Sequence, residues 1–258
     1  MYASLLFFLL LVLPLGAQAA PPTLRLASLE WLPYVGPNLP HGGLSANTAA
    51  VVAAEFGYAV AIDYFPWKRA MQVGGENSAY AGYFPAYHTD ERARQCHFSK
   101  PMGHSTVGLA YLKSQPLQWA TLADLSAFKL GVVLGYSNGE AFDTQVEQGL
   151  LTVESSNNDR NNLKKLLASR VRAVVIDKTV LRYLLLADEQ LKKHREQIEF
   201  HPRTLAELPL HICFQRSPAG QALQQQFNAA LLRINMEKVE SDYFDQWESL
   251  KAPAVGDE

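Results

Sequence analysis

The sequence predicts a mixed α/β protein built from two consecutive α/β units. Strand-like and helix-like segments alternate between residues 24 and 84, and the alternation resumes from about residue 121 to residue 187. This order is typical of a largely parallel sheet with helices packed on it. The chain has 258 residues, of which 48% are hydrophobic and 19% charged, so it is long enough for one or two domains and apolar enough for a packed core.

Hydrophobic periodicity and the positions of Gly and Pro predict the secondary structure of the first unit. Leu24 and Leu26 alternate with other residue types, which indicates a strand, Gly57 suits a helix C-cap, and Pro66 suits the first turn of a helix. The predicted elements are a strand at 24–28, a helix from a cap at Ser45 or Asn47 to about Phe56, a strand at 58–65, a short helix from Pro66 and a strand at 79–84.

The second unit has the same alternation, and two amphipathic helices follow it. Leu163, Leu166 and Leu167 lie on one face of a helix, which indicates packing on a sheet. The predicted elements are a helical turn at 121–124, strands at 130–134, 151–154, 173–176 and 210–214, and helices at 140–147, 159–169, 178–187, 223–234 and 239–250.

The N-terminus resembles an export signal. Residues 5–15 are mainly apolar, and the small residues Ala17 and Ala19 precede the expected cleavage point. The apolar stretch is shorter than the roughly 20 residues of a membrane helix, although an uncleaved anchor is the alternative. We therefore expect a signal peptide at 1–19 and a mature protein in the periplasm.

Composition excludes several classes of protein. Lys and Arg total 23 against 25 for Asp and Glu, a net charge of -2, so the chain lacks the basic footprint of a nucleic-acid binder. Two cysteines, Cys96 and Cys213, are too few for a cysteine-rich zinc module. After export they either pair or remain as buried thiols. The seven histidines are scattered, and no phosphate loop or nucleophile motif is present, so we expect neither a metal nor a cofactor.

Six segments together carry a resemblance to a known family. They are Trp31–Tyr34, Gly42–Leu44, Pro66–Ala70, Thr89–Arg92 with Phe98–Pro101, Leu130–Ser137 and Arg170–Asp177. In their order and spacing the chain resembles the bacterial extracellular solute-binding proteins of family 3, the periplasmic receptors of polar amino-acid ABC importers.

The resemblance implies a fold and a mode of action. The fold would be a type II periplasmic-binding-protein-like Venus flytrap, with one lobe at 20–108 and 211–258, a second lobe at 109–210, and a two-segment hinge between them. A small solute would bind in the cleft, and hinge closure would bury it. A monomer that delivers the solute to an ABC permease is implied as well.

The resemblance also implies three polar ligand contacts. Arg92, six residues before Phe98, matches the arginine that holds the ligand carboxylate, although its charged neighbours also fit a surface residue. Ser137 would offer its hydroxyl and N–H to an anion, and Asp177 would accept the ligand's ammonium. Either residue could instead simply cap a helix.

Aromatic residues and a second arginine complete the predicted site. The aromatic rings would cover the body of the ligand, and Arg69 either faces the cleft or pairs with a surface acid. The aromatic candidates are Trp31, Tyr34, Trp67, Tyr83 and Phe84. The family's Ser or Thr residues are replaced here by the segment 83–87, and Ser28 replaces an early acid, with Glu30 nearby. We therefore expect a carboxylate-bearing solute, either a polar amino acid or a related organic acid.

The predicted function is solute capture for an importer, without catalysis. One alternative is an exported enzyme similar to cyclohexadienyl dehydratases, in which Asp177 or Glu30 would act as the general acid. Another is a soluble sensory receptor for a membrane kinase.

Overall fold

The computed structural model describes residues 20–251, and their side chains as far as residue 245. The expected signal peptide at 1–19 lies outside the described residues. The strands in this range are β1 (Thr23–Ser28), β2 (Ala59–Tyr64), β3 (Gly82–Tyr87), β4 (Cys96–Phe98), β5 (His104–Leu112), β6 (Lys129–Val133), β7 (Thr152–Ser156), β8 (Ala173–Asp177) and β9 (Ile198–Gln215). The α-helices are α1 (Leu44–Ala54), α2 (Trp67–Glu76), α3 (Asp90–Gln95), α4 (Glu140–Glu147), α5 (Asp159–Leu167), α6 (Lys178–Ala187), α7 (Pro218–Leu231) and α8 (Met236–Lys251).

Two groups of parallel strands form the ends of one curled sheet. Its strand order is β2-β1-β3-β9-β5-β8-β6-β7, and β4 also pairs with β9. β1 pairs in parallel with β2 and β3, whereas β6 pairs in parallel with β7 and β8. Each parallel group comes from one of the two units that the sequence predicted.

β9 links the two groups. Its C-terminal part pairs antiparallel with β3 and β4, and its N-terminal part pairs antiparallel with β5 along the length of that strand. The sequence predicted only residues 210–214 of this strand, whereas it runs over 198–215. The resemblance places the two hinge segments near residues 104–112 and 205–212, which lie in β5 and β9. The lobe boundaries at 20–108, 211–258 and 109–210 stay a prediction.

Two local details differ from the sequence predictions. α1 begins at Leu44 with Gly43 at its N-cap, at a φ of 105°, so Ser45 and Asn47 lie inside the helix. A side chain at Gly43 would also collide with the backbone of Tyr34. The other difference is that α3 and β4 lie in the charged segment around Arg92, to which the periodicity assigned no element.

Helix packing fixes the position of residues in the candidate site. α2 packs against β1 and β3, and a Cβ added at Gly74 would lie 2.6 Å from the Gly82 carbonyl oxygen. This close approach of α2 to β3 fixes the position of Trp67, at the start of α2. α7 contacts β4, β9 and α1, and α8 contacts α1. Phe227 of α7 and Tyr243 of α8 are buried in these contacts.

A disulfide bond joins Cys96 of β4 to Cys213 of β9. Both residues are buried, and their Cα atoms lie 5.5 Å apart. The alternative of two separate thiols is therefore wrong. Among the described helices, none combines the length and the apolar character needed to cross a bilayer.

Candidate functional site

The loop after β1 supplies the central aromatic pair of the site. Trp31 and Val35 exchange backbone hydrogen bonds of 2.8 and 2.9 Å, which closes a tight turn. Inside this turn the rings of Trp31 and Tyr34 stack at 4.4 Å between centroids. Trp31 also meets the rings of Tyr87 and Tyr136 edge to face, at 6.1 and 6.5 Å. One turn thus gathers aromatic side chains from β3 and from the segment after β6.

Asp177 ends β8 and caps α6. Its Oδ1 accepts a 2.8 Å hydrogen bond from the Val180 N–H, so the helix-cap reading of the sequence is correct. Its Oδ2 accepts from the Ser105 hydroxyl at 2.6 Å and from the Tyr34 hydroxyl at 3.3 Å. Burial raises the pKa of the Asp177 carboxyl, and these hydrogen bonds oppose that rise. All of these donors are neutral, and none of the ion pairs among the described residues includes Asp177.

Asp159, at the start of α5, is a second buried acid that the sequence analysis missed. It is 6% exposed, and the Tyr136 hydroxyl donates to its Oδ2 at a long 3.4 Å. Burial, followed by the charge of Asp177, raises the pKa of Asp159 to about 7. The sequence analysis assigned Asp159 only to the start of a predicted helix. The missed signal was its position after β7, where open α/β sheets place ligands.

The tyrosines around these acids act as hydrogen-bond donors. Burial raises the pKa values of Tyr34, Tyr87 and Tyr136, so their hydroxyls stay protonated. Tyr87 and Ser105 share a 2.6 Å hydrogen bond, and Ser105 in turn donates to Asp177. This network ties β3 to β5 and β8.

Arg92 is buried, although its charged neighbours also fitted a surface residue. It is 8% exposed, and the Thr89 side chain caps its short helix. Its Nη1 donates to the Tyr87 carbonyl oxygen at 2.9 Å, and its Nη2 donates to the Gly135 carbonyl oxygen at 3.0 Å. Burial lowers the pKa of the guanidinium from its ordinary value.

Arg92 and Trp67 both donate hydrogen bonds to the carbonyl oxygen of Gly135. The Arg92 guanidinium lies 5.6 Å from the Trp67 ring centroid, and the Trp67 Nε1–H donates to the Gly135 oxygen at 3.1 Å. Gly135 belongs to the turn after β6, whereas Trp67 and Arg92 belong to the group of β1 to β3. These two hydrogen bonds therefore cross between the two strand groups.

Ser137 contributes to the same region but does not cap a helix. Its hydroxyl donates to Asp143 at 2.6 Å, and the Asn138 N–H donates to the same carboxylate at 3.0 Å. α4 begins only at Glu140, with Gly139 at its cap. The Ser137 hydroxyl thus uses its proton internally and retains oxygen lone pairs that can accept a hydrogen bond.

A first cavity brings together four of the predicted residues. It offers the centre of a water-sized sphere about 20 Å³ of free volume. Its lining consists of Leu29, Trp31, Trp67, Pro85, Tyr87, Arg92, Tyr136 and Ser137. Arg92 is the only charged residue of this wall. A small-molecule site usually measures roughly 300–1,000 Å³, so this cavity as it stands has room for little more than one water molecule.

A second cavity lies on the other side of Trp31. It offers about 100 Å³ of free volume, measured in the same way. Its lining consists of Glu30, Trp31, Leu32, Asn158, Asp159, Arg160, Val180 and Leu184. Trp31 is the residue common to the two walls, and Asp159 and Glu30 bring negative charge to the second one.

The remaining predicted residues lie outside these two cavities. Tyr83 is buried beside Trp67, at 5.7 Å between ring centroids, and Phe84 lies in the core. Tyr34 and Asp177 lie in the hydrogen-bond network behind Trp31. Arg69 is exposed on α2, with its guanidinium 5.7 Å from the Phe65 ring centroid. No cluster of metal-ligating side chains occurs within the described residues.

Solved structures with this architecture are numerous. An ancestral arginine-binding protein bound to arginine shares 20% identity at a TM-score of 0.71, over 89% of this chain and 99% of its own. A histidine kinase sensor domain similar to periplasmic binding proteins shares 16% at 0.73, over 88% and 96%. An ancestral amino acid-binding protein described as a precursor of cyclohexadienyl dehydratase shares 18% at 0.67, over 87% and 94%. The chain has their fold.

The expected type II periplasmic-binding-protein-like fold is therefore confirmed. At these identities the likeness concerns the fold and not the ligand. No protein-family profile and no curated protein sequence matches the chain.

Proposed function

We propose that this protein is a periplasmic solute-binding protein that captures a small carboxylate-bearing solute by hinge closure. The observation that carries the proposal is the Arg92 guanidinium, which is buried in a cavity wall and forms no ion pair with any described residue. Its two described acceptors are backbone carbonyls. A buried cation without an anion is costly, and a ligand carboxylate would supply that anion through paired hydrogen bonds.

Closure follows from the contacts that cross between the strand groups. Arg92 and Trp67 reach the Gly135 carbonyl, and Tyr34 reaches Asp177. Separating the groups would break all three contacts and open the Trp31 region to solvent. A solute that touches Arg92 on one side and Ser137 or Asp177 on the other makes both sets of contacts only in the closed form. It would therefore shift the population toward closure.

The setting of this function is part of the proposal. Export through the predicted signal peptide at 1–19 would place a monomer in the periplasm, and an ABC permease would receive the solute. A sensory role, in which a membrane kinase reads the closed form, is a second candidate favoured by the similarity to a kinase sensor domain.

An exported enzyme is a third candidate, and one observation favours it. Asp159 is a buried acid that titrates near neutral pH, as a general acid should. The similarity to a dehydratase precursor concerns the same fold. Under this reading Asp159 takes the role that the sequence analysis gave to Asp177 or Glu30.

One experiment separates binding from catalysis. The mature chain, residues 20–258, is screened by thermal shift against amino acids, organic acids and aromatic acids, and each stabilising compound is then incubated and recovered. We expect a carboxylate-bearing compound to stabilise the protein and to be recovered intact. Recovery as a product would establish the enzyme instead, and no stabilisation by any carboxylate would contradict the proposed function.

A further inference from the structure

Arg92 is carried by a short segment with little support of its own. α3 has six residues and packs mainly against β4, which has three residues and pairs with β9. A helix this short is not stable by itself, so the position of Arg92 depends on what holds the two ends of α3. The Thr89 side chain holds the first end, because it accepts a 3.2 Å hydrogen bond from the Arg92 N–H.

The disulfide bond holds the other end of α3. Cys96 directly follows this helix, and its backbone N–H donates to the Arg92 carbonyl oxygen. The bond joins Cys96 to Cys213 of β9, with 5.5 Å between the Cα atoms. Cys213 is buried and also lies opposite Tyr83 of β3 in the sheet. The bond therefore fastens the end of α3 to the interior of the sheet.

Two hydrogen bonds support the same segment from other sides. The Gln224 side chain donates to the Phe98 carbonyl oxygen at 2.9 Å, which holds the far end of β4. The exposed Arg216 guanidinium donates to the Ala93 carbonyl oxygen at 3.2 Å. A single hydrogen bond contributes little net stability, so the disulfide is the main attachment of the C-terminal end of α3.

The burial of Arg92 works against this arrangement. The guanidinium is 8% exposed, and its two described acceptors are backbone carbonyls. Movement of α3 away from the sheet would return the charge to water, which is favourable because a buried cation without an anion is costly. Ala93 is the one apolar residue of α3, so hydrophobic burial opposes this movement only weakly. A covalent attachment is what limits it.

We infer that Cys96 and Cys213 are positioning residues for Arg92: their disulfide holds α3 in place and keeps the guanidinium in the wall of the first cavity. Loss of the bond would allow α3 to open locally, without unfolding of the whole chain, and would expose Arg92 to solvent. The inference rests on the proposed function only in that Arg92 is the ligand contact there, since the opening itself needs no ligand.

Labelling of arginine side chains with phenylglyoxal tests this inference on the ligand-free mature chain. The reagent modifies exposed guanidinium groups, and peptide mass spectrometry gives the rate at each arginine. The comparison is between the parent and the double variant Cys96→Ala with Cys213→Ala. We expect the labelling rate of Arg92 to rise at least about 10-fold in the double variant, whereas the rate at Arg69, which is exposed in the parent, should stay the same.

A matched control separates local opening from a general loss of stability. Leu163→Ala removes a fully buried side chain of α5, in the other strand group, and should destabilise the chain by a comparable amount. It should leave the labelling of Arg92 unchanged. If the double variant does not fold, the same comparison is made in the Asp159→Asn background at pH 8, where removal of a buried charge should stabilise the chain.

The outcomes distinguish this inference from the proposed function. Unchanged labelling of Arg92 in the folded double variant, or an equal rise in Leu163→Ala, would overturn the inference and leave carboxylate capture intact. The parent with its disulfide reduced by dithiothreitol should label like the double variant, and protection of Arg92 after complete reduction would also overturn it. A screen without any carboxylate ligand would contradict the proposed function but would not change the labelling result.

Discussion

Asp159→Asn should make the protein more stable at neutral and alkaline pH. The pKa of this carboxyl is about 7 in the folded chain and near 3.8 in an unfolded one. Below pH 3.8 both states carry the proton, and the group contributes nothing. As the pH rises toward 7, the carboxyl ionises first in the unfolded state, so the folded state becomes less stable relative to it. Above pH 7 the burial of the ionised carboxylate destabilises the folded state to its full extent.

The magnitude follows from the size of the shift. A difference of about three pH units corresponds to about 4 kcal/mol at pH 8, and to about 2 kcal/mol at pH 5, where only part of the cost is present. Asparagine does not ionise, and its side-chain oxygen can still accept from the Tyr136 hydroxyl. We therefore expect the variant to gain at most about 4 kcal/mol in the free energy of unfolding at pH 8.

Urea unfolding of the ligand-free variant and parent at pH 5 and pH 8 measures this effect. The matched control is Asp63→Asn, because the hydrogen bond from Arg25 lowers the pKa of Asp63 and reverses the sign. The control should be slightly less stable than the parent at pH 8. A gain for Asp159→Asn that is equal at the two pH values, or no gain at pH 8, would refute the claim that a buried charge carries this cost.

The remaining predictions concern the site arginine, the disulfide and the packing of α2. Arg92→Gln should weaken the binding of any carboxylate ligand by at least about 30-fold in calorimetry, because the ligand loses a buried charged partner. The control Arg69→Gln, on the exposed face of α2, should leave the affinity unchanged. Equal affinities of the Arg92→Gln variant and the parent would refute the role of Arg92. Cys96→Ser should cost about 2–5 kcal/mol in chemical unfolding, and dithiothreitol should remove this difference; a difference that survives reduction would contradict it. Gly74→Ala should lose about 1–3 kcal/mol, because its Cβ meets the Gly82 carbonyl. Gly75→Ala, with no atom within 4 Å of the new Cβ, should gain about 0.5–1 kcal/mol, and equal losses in the two variants would refute the packing argument.

The regular elements were predictable because their hydrophobic period matches their structure. The helix at 140–147 and the strand at 173–176 agree with α4 and β8 to within a residue. β9 was mostly missed, because residues 198–209 are half exposed and include Pro202 and Pro209, so no alternation marks them. Their pairing with β5 is a tertiary effect that local pattern does not contain.

The site was predictable in part. Asp177 was named as a candidate because it ends a buried strand, and Arg92 because it lies six residues before Phe98. Their contacts with a ligand stay a prediction. The sequence could not reveal that Arg92 is buried or that Asp159 lies beside the same cleft. Burial depends on α3 folding against the turn at Gly135, and the acidic pair depends on the sheet bringing β7 and β8 to either side of β6.

The indole of Trp67 would give the proposed hinge closure an optical signal. Its Nε1–H donates to the Gly135 oxygen of the other strand group. Separation of the two strand groups would replace that acceptor with water and change the tryptophan fluorescence. Tryptophan fluorescence after rapid mixing with a solute could thus follow hinge closure in real time, without an attached dye. Hinge motions occur on the microsecond-to-millisecond timescale.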